Sequence, residues 1–390
     1  MISVTAAIQQ IAACRTSWGT ESLPLEQAVG RVLAEPITAD RDYPPFNRSL
    51  RDGFAIRISD YLSAKKKLFP ISSSEEILPG HVIRIQNGAI LPAEMDAVIG
   101  AEDVEEKNGN VSVSNNHIRE YQHVIRKGEN ARAGDSMLEP GCRLQFQHLG
   151  LLASLGMQHI TVYRPPKVVI ISMGSELRVS GATVNEEQLR ETNSYTFTGL
   201  LAQYGIPVTS SLVVSEEAFE QAVTDSLDAD LLLISGGLTT VDSSVLPRIL
   251  QDCGVEQVFF RVRAIPCKPF WFGYSPTKTR VMLFPKNVFS VQAGAKLFLE
   301  SYIRACWNLP MVKPWLLPFL DYKAAVHTLD EIVPAVLTNK NGLRVRATPA
   351  SGAGDITAAA QTDGIFLHST DTGNLEPGSL VPFYPWVDNS

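Results

Sequence analysis

The 390-residue sequence has little cysteine, and its five residues, Cys14, Cys142, Cys253, Cys267 and Cys306, are scattered, odd in number and never spaced Cys-x-x-Cys. That excludes a disulfide framework and a structural zinc site as organising principles, and makes a reducing cytoplasm the expected location. No apolar run approaches the ~20 residues of a membrane span. The first positive residue is Arg15 and no long apolar stretch accompanies it, so neither a membrane association nor a secretory leader is expected. Positive charge is in deficit: 34 Lys and Arg against 41 Asp and Glu leave a net charge of −7. A generally basic nucleic-acid binder is thereby excluded, though a local basic pocket is not. The seven histidines never fall at His-x-x-x-His spacing, which removes support for a histidine metal site or a triad. No Gly-x-x-x-x-Gly-Lys loop and no Gly-x-Gly-x-x-Gly fingerprint occurs, so ordinary P-loop and dinucleotide readings are weak. What is present is a chain with 45% apolar and 19% charged residues, the composition of a packed protein. At ~150 residues per domain, its length suggests two or three domains. No tandem repeat or low-complexity tract interrupts it.

Residues 3–35 read as helical. Ser3 is placed to cap a segment with Val4, Ile8 and Ile11 on one face, and Pro24 to Glu35 carries Leu25, Ala28, Val29, Val32 and Leu33 at helical spacing. Asp40 to Ser49, with two prolines, predicts an extended surface loop leading to Asp52-Gly53. From Phe54 to about Met137 short strand candidates (82–85, 97–99, 111–113, 123–126) alternate with turn signals such as Asn87-Gly88 and Asn108-Gly109, the mark of a small β module. Helix is expected again at 147–155. Strand and helix then alternate: strands at 167–172, 207–214, 231–235, 257–262 and 281–284, helices at 193–204, 216–227 and 290–305. Strands that are apolar throughout predict a parallel sheet covered on both faces. Pro310, Pro314 and Pro318 mark a linker-like passage, and 321–390 reads as a small all-β terminal domain.

In a parallel α/β sheet, ligands sit beyond the carboxyl ends of the strands. Four loops fall there: 172–177, 235–242, 264–270 and 284–290. Glycine lets the backbone approach a ligand, free N–H groups favour an anion, and Lys268 and Lys286 add charge. Each loop alone is readable as a tight turn; four at one sheet edge point to a ligand bearing phosphate or another oxyanion. Asp52, in a proline-rich loop and followed by glycine, is free to project its carboxylate, although an isolated Asp-Gly is more often a turn residue.

These residues also resemble a known family. Pro44-Pro-Phe-Asn-Arg-Ser-Leu-Arg-Asp-Gly-Phe-Ala55 is similar to the MoeA signature loop, Pro-x-Phe-Asp-x-Ser-Ala-Met-Asp-Gly-Tyr-Ala. Arg84-Ile-Gln-Asn-Gly-Ala89, Arg126 to Gly134, the glycine loops of 172–290, and Ser351-Gly-Ala-Gly-Asp-Ile-Thr357 followed by Ala360 to Gly364 resemble its later segments in order. The resemblance, which extends to the gephyrin E domain, implies an α/β plus β multidomain fold. A helical and extended domain (1–53 and 138–164) would carry an inserted β domain (54–137). A MogA-like, three-layer α/β domain (165–309) and a C-terminal β-barrel domain (310–390) would follow.

The activity the resemblance implies is that of a molybdopterin molybdenumtransferase. Adenylated molybdopterin and molybdate would react, with Mg²⁺, to give molybdenum cofactor and AMP. The site would lie between one subunit's α/β domain and its homodimer partner's first two domains. By the same resemblance Asp52, Glu176 and Lys268 would be catalytic. Gly174, Ser175, Thr192, Asn193, Ser235, Gly236, Gly237, Pro266, Pro269, Pro285, Lys286, Asn287 and Ser290 would hold molybdopterin and nucleotide. Asp52, Glu176 and Asp242 would hold Mg²⁺. Other cofactor-biosynthesis proteins are further partners it suggests. The sequence departs from the family pattern at its polar positions. Asn47, Asn87, Asn130, Ser175 and Ser244 stand for Asp or Thr, Arg51 for Met, Ile265 for Lys, Cys267 and Lys286 for Gly, and Val288 for Pro. Fewer carboxylates would weaken the hold on a hard cation. Two alternatives therefore stand beside an active transferase: a catalytically impaired paralogue that binds molybdopterin, nucleotide or a partner, and a different nucleotide reaction on the α/β domain. Cys267 invites a covalent role, against the plainer reading of a small residue that packs.

Overall fold

Alternation within the Val168–Met173 strand sets the architecture around which one half of the molecule is built. Val168 and Ile170 join one buried cluster and Val169, Ile171 and Met173 another, as successive side chains of a strand point to opposite faces. Leu231 and Leu233 against Leu232 and Ile234, and Met282 and Phe284 against Val281 and Leu283, repeat the division. The first face is covered by Phe197, Leu200 and Leu201 of the Asn193–Gln203 helix and by the long helical stretch 288–306. The second is covered by Phe219 and Val223 and by Leu246 and Leu250 from the Phe219–Thr224 and Val245–Asp252 helices. The result is the three-layer sandwich that apolar parallel strands require.

The computed structural model describes the chain except for residues 73–76, 115–116, 239–244, 278, 326–327, 340–341 and 388–390. It forms two compact units. One contains Met1–Ala34, Pro140–Gly150 and Met157–Ser390, the other Glu35–Glu139 and Leu151–Gly156.

In the first unit the central sheet has the order 208–214, 168–173, 231–235, 280–284, 271–274, 256–260. The first four strands are parallel. Trp271–Tyr274 runs against both of its neighbours, so the 256–260 edge strand runs with the majority. That reversed strand was not anticipated: Trp271-Phe-Gly-Tyr274 follows the 264–270 loop with no turn signal separating it from that loop. A second sheet joins Trp315–Pro318, Asp330–Thr338, Arg344–Ala347, Gly364–His368 and Leu380–Pro385, and takes Ala264–Ile265 as a short parallel edge strand beside 330–331. The proline-marked passage thus ends in a strand rather than a linker, with Trp315 opposite Phe383.

At the N-terminus Ser3 caps the Val4–Ala13 helix by accepting the Ala6 N–H at 3.1 Å, and Val4, Ala7 and Ile11 are buried. The helix expected over 24–35 does not form. Leu25–Gln27 makes a single tight turn, and Thr20–Pro24 instead pairs antiparallel with His159–Tyr163. Two β-branched residues and Gly30 lower helix propensity there, and residues 30–34 exchange backbone bonds with 141–144 and 161–163 instead.

The second unit is strand and loop with a short helix, Ile58–Ser63. Gly53–Ile56 is the centre of a three-stranded sheet with Ile83–Ile85 and Ala97–Gly100. Leu68–Pro70, Asn110–Val113 and Val104–Lys107 form another. Its core gathers Phe54, Ile56, Tyr61, Phe69, Val82, Ile99 and Val111. The β character read from the turn signals is the observed one.

Candidate functional site

Register brings the loops together. Ser172 lies opposite Ser235, and Ser235 opposite Phe284, so three neighbouring strands end at one level and release their loops side by side. Between those loops is a cavity of about 310 Å³. Glu176, Thr192, Asn193, Ser235, Lys286 and Asn287 line it, with Met173, Leu177, Leu189 and Val288 as apolar wall. Six candidate binding or catalytic residues, drawn from four chain segments, therefore share one space. The far wall is Gly354 and Ile356 from the C-terminal region. Their loop is shaped by Asp355, which accepts hydrogen bonds from the Ser351 N–H at 2.9 Å and the Thr357 N–H and hydroxyl at 2.8 and 2.7 Å. The Ser351 N–H bond, then those from Thr357, hold this carboxyl well below the usual carboxylate range.

Polar order below the cavity centres on Glu191, which is 4% exposed. Its carboxylate accepts from the Ser172 hydroxyl at 2.9 Å, the Ser194 N–H at 2.8 Å and the Ser194 hydroxyl, and the Ser235 hydroxyl donates to Ser172 at 3.4 Å. The acid thereby neutralises the N-terminus of the Asn193–Gln203 helix. A second helix start at this edge is also engaged: the Phe289 and Ser290 N–H groups donate to the Ala353 carbonyl at 3.0 and 3.4 Å. Three backbone N–H groups at these two helix starts are thus already engaged within the chain. Positive charge comes from side chains, Lys286 and Arg190, both on the cavity wall. The Lys286 ammonium stands 3.6 Å from Glu176 Oε1. Asn193 donates its Nδ2 to the Lys286 carbonyl at 2.9 Å, while its Oδ1 is buried with no partner.

Other candidates lie elsewhere. Gly174 and Ser175 belong to the 172–177 loop. Gly236 and Gly237 sit beneath Met173, where a side chain on Gly236 would come within 2.2 Å of the Met173 carbonyl. Pro285 is buried beside Lys286. The 264–270 loop is drawn toward the C-terminal sheet by the 264–265 strand. Pro266 lines a different cavity, of about 510 Å³, with Phe319, Tyr322 and Glu331. Lys268 and Pro269 are half-buried on that loop and the Glu176 cavity does not include them. Asp52 is exposed on the second unit, its Oδ1 accepting the Asn87 N–H at 2.9 Å. Asp242 falls outside the described residues, as does Ser244. Glu191, Arg190 and Ile356 were not singled out in the sequence. An acid two residues before a helix was the available signal for Glu191, whereas Ile356 lies in the 351–357 segment, which the resemblance picked out without giving it a place in the site.

Cys267 is buried, donates its thiol to the Ser290 carbonyl at 3.2 Å, and is pushed up to about 12 by burial. A thiol so held supplies no thiolate at neutral pH. Cys267→Ser is expected to leave AMP binding and turnover unchanged, and Cys267 in the native protein to escape iodoacetamide at pH 8 while it labels fully in urea; mass spectrometry of the digest checks both.

Magnesium demands near-octahedral oxygen coordination. On the cavity wall, Glu176 faces an ammonium and Glu191 is consumed by two serines. No group of three His, Cys, Asp or Glu side chains suited to a metal occurs among the described residues. Those residues do not fit the ion.

An α/β sheet whose strand ends hold an anion-compatible cavity is the class of ligand-binding protein that this fold and site define. Comparison with known proteins narrows it. Residues 2–156 match the family model of the MoeA N-terminal region (domain I and II), and 169–305 that of a probable molybdopterin binding domain. A molybdopterin molybdenumtransferase of Synechocystis sp. is similar at 29% identity, covering 99% of this chain and 100% of the relative; that of Haemophilus influenzae is 29% identical over 94% of each. The crystal structure of a molybdopterin biosynthesis MoeA protein from Pyrococcus horikoshii superposes with a TM-score of 0.83 at 24% identity, covering 98% of this chain and all of that one. The chain belongs to the MoeA family, and its fold is MoeA-like.

Proposed function

We propose that this protein is a molybdopterin molybdenumtransferase, and that the cavity between the 172–177, 189–193 and 284–288 segments receives the adenylated molybdopterin into which molybdate is inserted, with release of AMP. The observation that carries the reading is the pairing, in one space, of cationic side chains at Lys286 and Arg190 with the polar side chains of Thr192, Asn193 and Asn287. Phosphates suit the cations, and amides and a hydroxyl suit the hydrogen-bonding edge of a pterin or adenine ring. Ile356, 67% exposed, offers an apolar face for a planar ring. The chain's own contribution is placement and charge stabilisation: cations hold the phosphate oxygens while the anhydride to AMP is cleaved.

The site is completed in this reading by Asp52 of a second copy, so the working form is a homodimer. The chain divides into four domains, with 165–309 as the MogA-like domain and 310–390 closing as a barrel. Lys268 would serve molybdate from the neighbouring loop.

The test is AMP release from adenylated molybdopterin and molybdate by the purified protein. Turnover is expected, with Asp52→Ala lowering it by at least about tenfold while AMP binding persists. AMP binding without any turnover would favour an impaired paralogue, a reading supported by the ammonium that occupies Glu176. Nucleotide turnover indifferent to both molybdate and Asp52→Ala would point to another reaction altogether.

A further inference from the structure

We propose that this chain grips the phosphate of its nucleotide ligand with the Lys286 ammonium in the place a divalent cation would take, so that ligand binding needs no magnesium. The inference rests on the cavity reading above and adds to it the nature of the cation. Four observations carry it. First, the acid that would anchor a metal, Glu176, already faces Lys286 Nζ at 3.6 Å. Second, the other acid of the described wall, Glu191, has its oxygens filled by Ser172 and Ser194. Third, three backbone N–H groups at the two helix starts of this edge, those of Ser194, Phe289 and Ser290, are engaged by Glu191 and by the Ala353 carbonyl, which shifts anion binding toward side chains. Fourth, the Asn193 amide, on a residue 7% exposed, holds the Lys286 carbonyl at 2.9 Å and so fixes the backbone from which the ammonium extends. The 189–193 and 284–288 segments, tied by that bond, thus set the place from which the cation reaches the phosphate.

The ion pair is loose and its lysine side chain is 64% exposed. Exposed pairs of this kind are weak, so an arriving phosphate oxygen displaces Glu176 readily. Glu176 then acts as the counter-ion that parks the ammonium between binding events. A lysine supplies one charge and three donors with no dehydration of a hexahydrated ion, which Mg²⁺ gives up reluctantly.

The experiment is calorimetric titration of the full chain with AMP, in excess EDTA and in millimolar MgCl₂. The wild-type protein is expected to bind AMP equally in both. Lys286→Gly is expected to bind about tenfold more weakly in EDTA, the loss of one charge-assisted contact, and to recover in MgCl₂ because Glu176 is released to the metal. Lys286→Arg should keep EDTA-resistant binding. Manganese(II) EPR in the presence of AMP gives an independent readout: the wild-type complex should leave Mn²⁺ free, and the Lys286→Gly complex should retain it between Glu176 and the phosphate. Unchanged melting temperatures confirm that these variants, altered at an exposed side chain, are folded. Wild-type AMP binding that collapses in EDTA, or Lys286→Gly binding as tightly as wild type in EDTA, overturns the inference alone. No AMP binding under either condition overturns it together with the cavity reading on which it rests.

Discussion

Glu300→Ala is expected to destabilise the first unit by about 4 kcal/mol, because it strands two buried cations. Lys296, Glu300 and Arg304 follow one another at four-residue spacing along the helical stretch 295–306, and each is at most 4% exposed. Lys296 Nζ lies 2.6 Å from Glu300 Oε2, Arg304 stands 4.0 Å from Glu300 Oε1, and the Tyr204 hydroxyl donates to Glu300 at 2.5 Å. Arg304 reaches on to the Pro310 carbonyl at 2.5 Å. Removing the carboxylate leaves the ammonium and guanidinium without their shared anion in a medium that penalises uncompensated charge. Urea denaturation should show a lower midpoint. The triple variant Lys296→Met, Glu300→Leu and Arg304→Met should recover most of the loss, since apolar replacement of a whole buried ionic cluster is often neutral. An undiminished midpoint for Glu300→Ala would show that the cluster contributes nothing.

The same cluster sets an alkaline limit. Burial first, and then the Glu300 charge, push the Tyr204 hydroxyl well above its ordinary value. A group raised in the folded state contributes its full stability below the unfolded value near ~10, and that contribution drains away as pH rises toward the folded one. Stability should therefore fall above pH ~10 more steeply in the wild type than in Tyr204→Phe.

Gly236→Ala is expected to be the most damaging change at the cavity, lowering stability by about 3 kcal/mol and AMP affinity at least tenfold, from backbone strain and displacement of a strand end. Its φ is +116°, a region that residues with a Cβ rarely occupy, and the added carbon would meet the Met173 carbonyl at 2.2 Å. Met173 closes one of the three register-aligned strands and lines the cavity, so relief of the clash moves the wall itself. Gly199→Ala is the control of opposite sign. It lies inside the Asn193–Gln203 helix, where an added methyl would meet nothing within 4 Å, and should gain about 1 kcal/mol from helix propensity. Equal behaviour of the two variants in denaturation and AMP titration would refute the steric argument.

The extent to which the sequence was readable follows the range of the forces involved. Runs such as Val168 to Ile171 and Leu231 to Ile234, apolar at every position, announced a sheet buried on both faces because that signal is local and repeated. Ser3 announced a helix start, and Met173-Gly174, Gly236-Gly237 and Pro285 the loops at the strand ends, since capping and turn chemistry act over a few residues. Pro24 to Glu35 misled for the same reason: its helical spacing was real, but backbone bonds from 30–34 to 141–144 and 161–163, more than a hundred residues away, won. Tertiary structure alone decided that Glu191 is an internal counter-ion, that Lys296, Glu300 and Arg304 form a buried cluster rather than a solvated face, and that Gly354 and Ile356 close a cavity begun near residue 173. A charged side chain has the same local pattern whether water or a serine hydroxyl satisfies it. Only the packed chain, in which an unpaired charge or polar group is costly, assigns its partner.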